Sequence, residues 1–173
     1  MTIKKILTEP DPFLRQKSEN VDKVDKEVRK LIDDMLDTMY TAPGIGLAAI
    51  QVGVPKRIIV IDLSKEEEKN PLYFVNPKII LKSNTKATYE EGCLSVPGQF
   101  AEIDRPNQCL INYLDYNGKQ QELNAEGLLA TCIQHEMDHL EGILFIDYLS
   151  KLKKNFITKK LSKQKKSLER IVV

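Results

Sequence analysis

The stretch Ala125–Gly142, AEGLLATCIQHEMDHLEG, holds both histidines of a 173-residue chain. It reads as one helix from about Ala125 to Glu141. Asn124 is placed to cap its start, and Gly142 suits the left-handed position just past its end. What surrounds this helix decides the fold. Upstream, Asp25 to Tyr40 forms another helix, because Val24, Val28, Leu31, Met35 and Met39 recur three or four residues apart. Pro43 and Gly44 end it.

Between the two helices the pattern changes to strands. RIIVIDL (Arg57–Leu63) reads as a buried strand, and 65–70 as a charged loop. LYFVNPKIILKS is strand-like, with Pro77 marking a bulge or an edge. TKATYEEG, QFAEID and QCLINYLD follow, and Asn117-Gly118 sits between LINYLDY and KQQELN as a hairpin turn. From about Tyr148 a third helix begins, with Leu149, Leu152 and Phe156 as its apolar stripe and lysines over the rest. Helix, strands, helix, helix is the order of an α+β fold. Antiparallel sheets should pack around the central helix, with an N-terminal helix and a basic C-terminal helix beside them. Residues 1–147 should form the main domain and 148–173 a basic helical extension of it.

Composition bounds the function. Hydrophobic residues make up 42% of the chain and charged residues 29%, which suits a globular core. No apolar run approaches the roughly 20 residues that span a bilayer. MTIKKILTEPDPF lacks a signal-peptide core, so a cytoplasmic monomer with no membrane partner is expected. Three widely spaced cysteines fit free or metal-bound thiols better than a disulfide framework. Residues 148–173 carry nine basic side chains and one acidic one, and this end points to a polyanionic partner or to a solvated helix face.

The chemistry lies in His-Glu-x-x-His. On a helix, residues four apart differ by about 40° in azimuth and about 6 Å along the axis, so His135 and His139 can converge on one ion. Glu136 is one step round, able to reach a water at that ion without being a ligand. Catalytic sites of this kind use three protein ligands. Cys132 shares the helix but lies ~10 Å from His139 along the axis, badly placed beside a metal–sulfur bond of about 2.3 Å. Cys109 reads as core. Cys93, in the glycine-flanked EEGCLSVPG, is the third ligand, and the fourth position stays open for water.

Three segments together resemble the peptide deformylases, hydrolases that remove the formyl group from N-formylmethionine: GIGLAAIQVG (Gly44–Gly53), EGCLS (Glu91–Ser95) and QHEMDHLEG (Gln134–Gly142). The resemblance implies that Cys93, His135 and His139 hold one divalent transition metal, usually Fe2+, with Zn2+, Ni2+ or Co2+ able to replace it. It implies Glu136 as the acid–base group, and Gln51 with the Leu94 backbone N–H as oxyanion donors. It also implies that Ile45, Leu128 and Cys132 line a methionine pocket, while Gly44, Gly46 and Gly92 let the peptide backbone lie close. The formylated nascent peptide is the implied substrate, with the ribosome as a partner for the C-terminal helix. Where many of those enzymes have an arginine after VPGQ, Phe100 stands here.

Other readings compete. GIGLAA fits a dinucleotide fingerprint, but that motif needs a strand before it and a helix after it, whereas Pro43 precedes and Gly53 and Pro55 follow. A generic HExxH protease and a basic-tailed RNA-binding protein with a structural metal are the others.

Overall fold

A computed structural model describes residues 2–64 and 68–171, with side chains to Ser167. The charged loop expected at 65–70 therefore lies partly outside the described residues, as does the end of the C-terminal extension. Helix α1 (Lys26–Thr41) opens on Asp25, whose carboxylate accepts the Val28 N–H at 2.9 Å and satisfies one of the free donors of the first turn. Val24 precedes the helix, and its buried stripe is Ile32, Met35, Leu36 and Met39.

Seven strands follow: β1 (Gly46–Ala48), β2 (Ile58–Ile61), β3 (Leu72–Lys82), β4 (Lys86–Cys93), β5 (Val96–Pro106), β6 (Gln108–Leu114) and β7 (Gln120–Glu126). They form a five-stranded sheet in the order β1-β2-β3-β6-β7 and a separate β4–β5 hairpin, with every pairing antiparallel. Every residue of β2 is buried because both faces of the sheet are covered there. Ile58 and Val60 pack with α1, while Ile59 and Ile61 pack with helix α2 (Gly127–Leu140). A strand covered on both sides has no polar face to show, hence the unbroken apolar run.

Pro77 marks a bulge, as expected. The register of β3 against β6 shifts between Val75 and Lys78, and Asn76 has a φ of 51°. The Asn76 side chain fixes it by exchanging two 2.8 Å hydrogen bonds with the Val21 backbone. The Asn117-Gly118 turn joins β6 to β7, with Gly118 at φ 77°. Residues 44–49 open no dinucleotide site. Short β1 runs antiparallel to β2 and leads into a 3-10 turn at Ala49–Val52.

Two expectations need correction. Asn124 does not cap α2: it sits within β7 opposite Leu110. The strand runs on to Glu126, the N-cap residue, and α2 begins at Gly127 without a side-chain cap. At the other end Gly142 does adopt φ 74°, with its α-carbon so close to Arg15 that a Cβ would lie 2.4 Å from the Arg15 carbonyl oxygen. Helix α3 (Lys151–Ile171) also departs from expectation. Leu152 and Phe156 are exposed, and Ile157 and Leu161 are buried instead, in a cluster with Val96, Ile103 and Phe145. The packed face was set by β5 and the 3-10 turn Phe145–Tyr148, neither of which shows in the helix's own periodicity.

Candidate active site

Helix α2 lies between the two sheets, so its side chains can meet groups from both. His135 and His139, one turn apart, face the β4–β5 hairpin, where Cys93 is the last residue of β4. Cys93 pairs with Val96, leaving Leu94 and Ser95 as a tight turn. The hairpin thus brings the sulfur to 3.2 Å from His139 Nε2. The donor atoms of Cys93, His135 and His139 all lie within 4.8 Å of one another, the one such group of three among the described residues. One sulfur and two imidazole nitrogens at this spacing fit a single divalent transition metal bound at about 2.0–2.3 Å. Cys132 is not part of the group. Burial pushes its thiol up to about 12, so it stays neutral and behaves as a small apolar side chain.

Glu136 is 5% exposed, and its Oε2 has no hydrogen-bond partner among the described residues. Burial pushes its carboxyl up to about 7, with the charge of His135 opposing that rise. Its neighbour across the cleft is Gly46, where a Cβ would stand 2.4 Å from Glu136 Oε1, so the glycine keeps room for the carboxylate. Gln51, in the 3-10 turn, is held by the residue that opens the turn: its Oε1 accepts the Ala48 N–H at 2.8 Å. That turns Nε2 toward Ser95 Oγ at 3.0 Å and Cys93 Sγ at 3.5 Å.

His135 is fixed from behind. Its Nδ1 donates to Glu91 Oε2 at 2.8 Å. Arg105 grips the same carboxylate in a bidentate pair at 2.5 and 3.0 Å and reaches Asp138 at 2.8 Å. Tyr148 donates to Asp138 at 2.8 Å and lays its ring under the guanidinium. Burial would raise Glu91, but His135 and Arg105 together hold it below the usual range. Burial would likewise lower His135, but Cys93 and Glu91 lift it well above an ordinary imidazole. His139 is driven the other way by burial and by the charge of His135. A carboxylate behind one metal-binding ring fixes that ring's tautomer and orientation.

These groups sit in a cleft of about 450 Å3. Gly44, Ile45, Gly46 and Gln51 form one wall, and Gly92, Cys93 and Leu94 another. Leu128, Cys132, His135 and Glu136 come from α2. Every residue singled out from the sequence therefore meets at this cleft, apart from His139, which lies behind it as the most deeply buried of the three donors. A family model described as polypeptide deformylase matches residues 3–155. The chain belongs to that family. Its members are metal-dependent hydrolases, which sets aside the dehydrogenase reading and that of an RNA-binding protein with a structural metal.

A peptide deformylase of Pelagibacter ubique (strain HTCC1062) is 68% identical over 174 residues, covering 100% of both chains. One from Rhizobium meliloti (strain 1021) is 56% identical over 168 residues, 96% of this chain and 97% of its own. Among solved structures, the peptide deformylase of Ehrlichia chaffeensis in complex with actinonin is 48% identical. It covers 95% of this chain and 98% of its own at a TM-score of 0.91.

Sequence reasoning missed the support behind the site. Glu91 could have been found, since residues two apart in a strand share a face and Glu91 precedes Cys93 by two. Arg105, Asp138 and Tyr148 carry no such mark, because their meeting depends on how the β4–β5 hairpin and the turn Phe145–Tyr148 pack on α2.

Proposed function

We propose that this chain removes the formyl group from the N-terminal formylmethionine of newly made polypeptides, releasing formate. The observation that carries the reading is an unpartnered, buried Glu136 carboxylate beside the converging donors Cys93, His135 and His139. An ion held by Cys93, His135 and His139 would supply Lewis acidity and make a water at the site nucleophilic near neutral pH. Glu136 takes a proton from the attacking water and gives it to the departing amine. A carboxyl whose affinity for protons is raised toward neutrality is matched to both halves of that exchange.

The remaining roles follow the cleft walls. Gln51 Nε2, already aimed at the metal site, donates with the Leu94 N–H to the oxyanion. Donors of this kind contribute on the order of 3–4 kcal/mol each. Ile45, Leu128 and Cys132 take the methionine side chain, and the substrate backbone runs between Gly44–Gly46 and Gly92. Iron(II) is the proposed ion on the strength of the family resemblance, and one thiolate with two imidazoles suits zinc, nickel or cobalt as well. Place of action is the cytoplasm, where the chain works as a monomer. The lysines of α3 are proposed to meet ribosomal RNA. Deleting residues 150–173 should then weaken ribosome binding in a salt-dependent way, and binding unchanged by the deletion would count against it.

Formyl-Met-Ala-Ser and its unformylated counterpart, incubated with iron-loaded protein, test the reading. Formate release without peptide-bond cleavage is expected. Cleavage of the unformylated peptide without formate would assign the site to a protease.

A further inference from the structure

Three large apolar side chains stand in water beside the cleft: Leu152, Phe156 and Phe100, which are 81%, 69% and 64% exposed. They are not scattered. Leu152 and Phe156 lie one turn apart on α3, facing Phe100 and Ala101 of β5 across a groove of about 810 Å3. Leu149 and Ile157 also line it, and Glu102 and Lys153 form its polar rim. Exposed apolar side chains grouped in this way mark a binding surface more often than single ones do. On a helix that offers lysine at so many other positions, they are not there for want of polar residues.

Phe100 lines both this groove and the catalytic cleft, so the two share a wall. Its ring is pressed against Gly92, where a Cβ would come within 2.5 Å of Cε1. A chain lying along the cleft and leaving past Gly92 therefore meets Phe100 and then the groove. In an extended chain every second side chain points the same way, roughly 7 Å apart, so one side chain of the departing segment can drop between α3 and β5.

We propose that the groove between α3 and β5 is a second subsite for the substrate polypeptide, taking an apolar side chain from the residues that follow those in the catalytic cleft. The proposal rests on the reading of the cleft given above. With Leu152, Phe156 and Phe100 as its walls the groove favours leucine, methionine or phenylalanine.

The test uses the metal-loaded full chain. Formyl-Met-Ala-Ser is compared with the same tripeptide extended by five serines, and with versions in which a single leucine is moved through the five added positions. At one position leucine should raise kcat/KM roughly ten-fold over the all-serine peptide, acting through KM. Leu152→Ser and Phe156→Ser should each erase most of that gain, bringing the ratio toward one. Leu81→Ser, which alters another exposed apolar side chain far along β3, should leave the ratio as it was. A leucine that helps at no position, or a gain that survives both α3 substitutions, overturns the proposal. So does a monomer–dimer equilibrium abolished by the same substitutions with no effect on the ratio, since the groove would then belong to a second copy. Formate release from the tripeptide is the separate check on the cleft. Its absence with every peptide would overturn the reading of the cleft and this inference with it.

Discussion

Helices α2 and α3 break the burial rule in opposite directions. Of the nine buried residues of α2, five are polar: Thr131, Gln134, His135, Glu136 and His139. Helix α3 does the reverse, holding Leu152 and Phe156 in water while only Ile157 and Leu161 are buried among its described side chains. Burying a polar group costs free energy unless it is partnered. Much of that cost in α2 is offset, since Gln134 donates to two backbone carbonyls and His135 leans on Glu91. Thr131 Oγ1, His139 Nδ1 and one oxygen of Glu136 have no such partner among the described residues, and of these only Glu136 is a carboxylate. Places where a sequence departs from the rules of stability are where activity is to be sought, and the two helices line two cavities that share Phe100 as a wall.

The contrast between the two helices depends most on Glu136. Glu136→Gln keeps the shape and removes the proton transfer, so formate release should fall by roughly 10²–10⁴ while metal content by elemental analysis stays the same. Retention of more than a tenth of the turnover would reject its acid–base role. Next in size is Arg105→Ala, which leaves the Glu91 carboxylate buried without its bidentate partner. Urea unfolding should show a loss of about 3–5 kcal/mol. Replacing both partners, Arg105→Met with Glu91→Leu, should recover much of that stability yet lose metal affinity, because His135 would no longer be held.

Glu136 also sharpens the contrast through pH. Its carboxyl titrates near an ordinary 4.5 in the unfolded chain and at about 7 in the fold. Between those values the folded state binds more protons, so stability falls as pH rises through the window and stays lower above it. In metal-free protein at pH 8, Glu136→Gln should therefore be more stable than the parent by roughly 3 kcal/mol. The gain should shrink to nothing below about pH 4.5. A gain that does not depend on pH would place its cause elsewhere. Smallest is the test within α3. Leu161→Ala should cost about 2 kcal/mol and Leu152→Ala less than about 0.5, because only the first is buried.

Much of the site could be read from the sequence because its parts are local. Two histidines four apart meet on any helix, and a cysteine flanked by glycine in a turn can approach them. The antiparallel α+β class followed from strand patterns between helices, and the doubly covered β2 from its unbroken apolar run. What stayed hidden is non-local. Arg105 is separated from Glu91 by 14 residues and from Asp138 by 33, and only the packing of the hairpin on α2 joins them. The misassigned cap at Asn124 has a similar origin, for its place is set by pairing with Leu110 across the sheet. The stripe on α3 was misread because apolar spacing says which residues share a face, not whether anything covers that face.

The central claim is that one thiolate and two imidazoles from this chain grip a single ion. X-ray absorption fine structure of the cobalt-loaded protein tests it directly. The account predicts one sulfur at about 2.3 Å and two imidazole nitrogens at about 2.1 Å, with the sulfur lost in Cys93→Ser. A shell of nitrogen and oxygen alone in the parent protein, or a sulfur that persists after Cys93 is replaced, would contradict it.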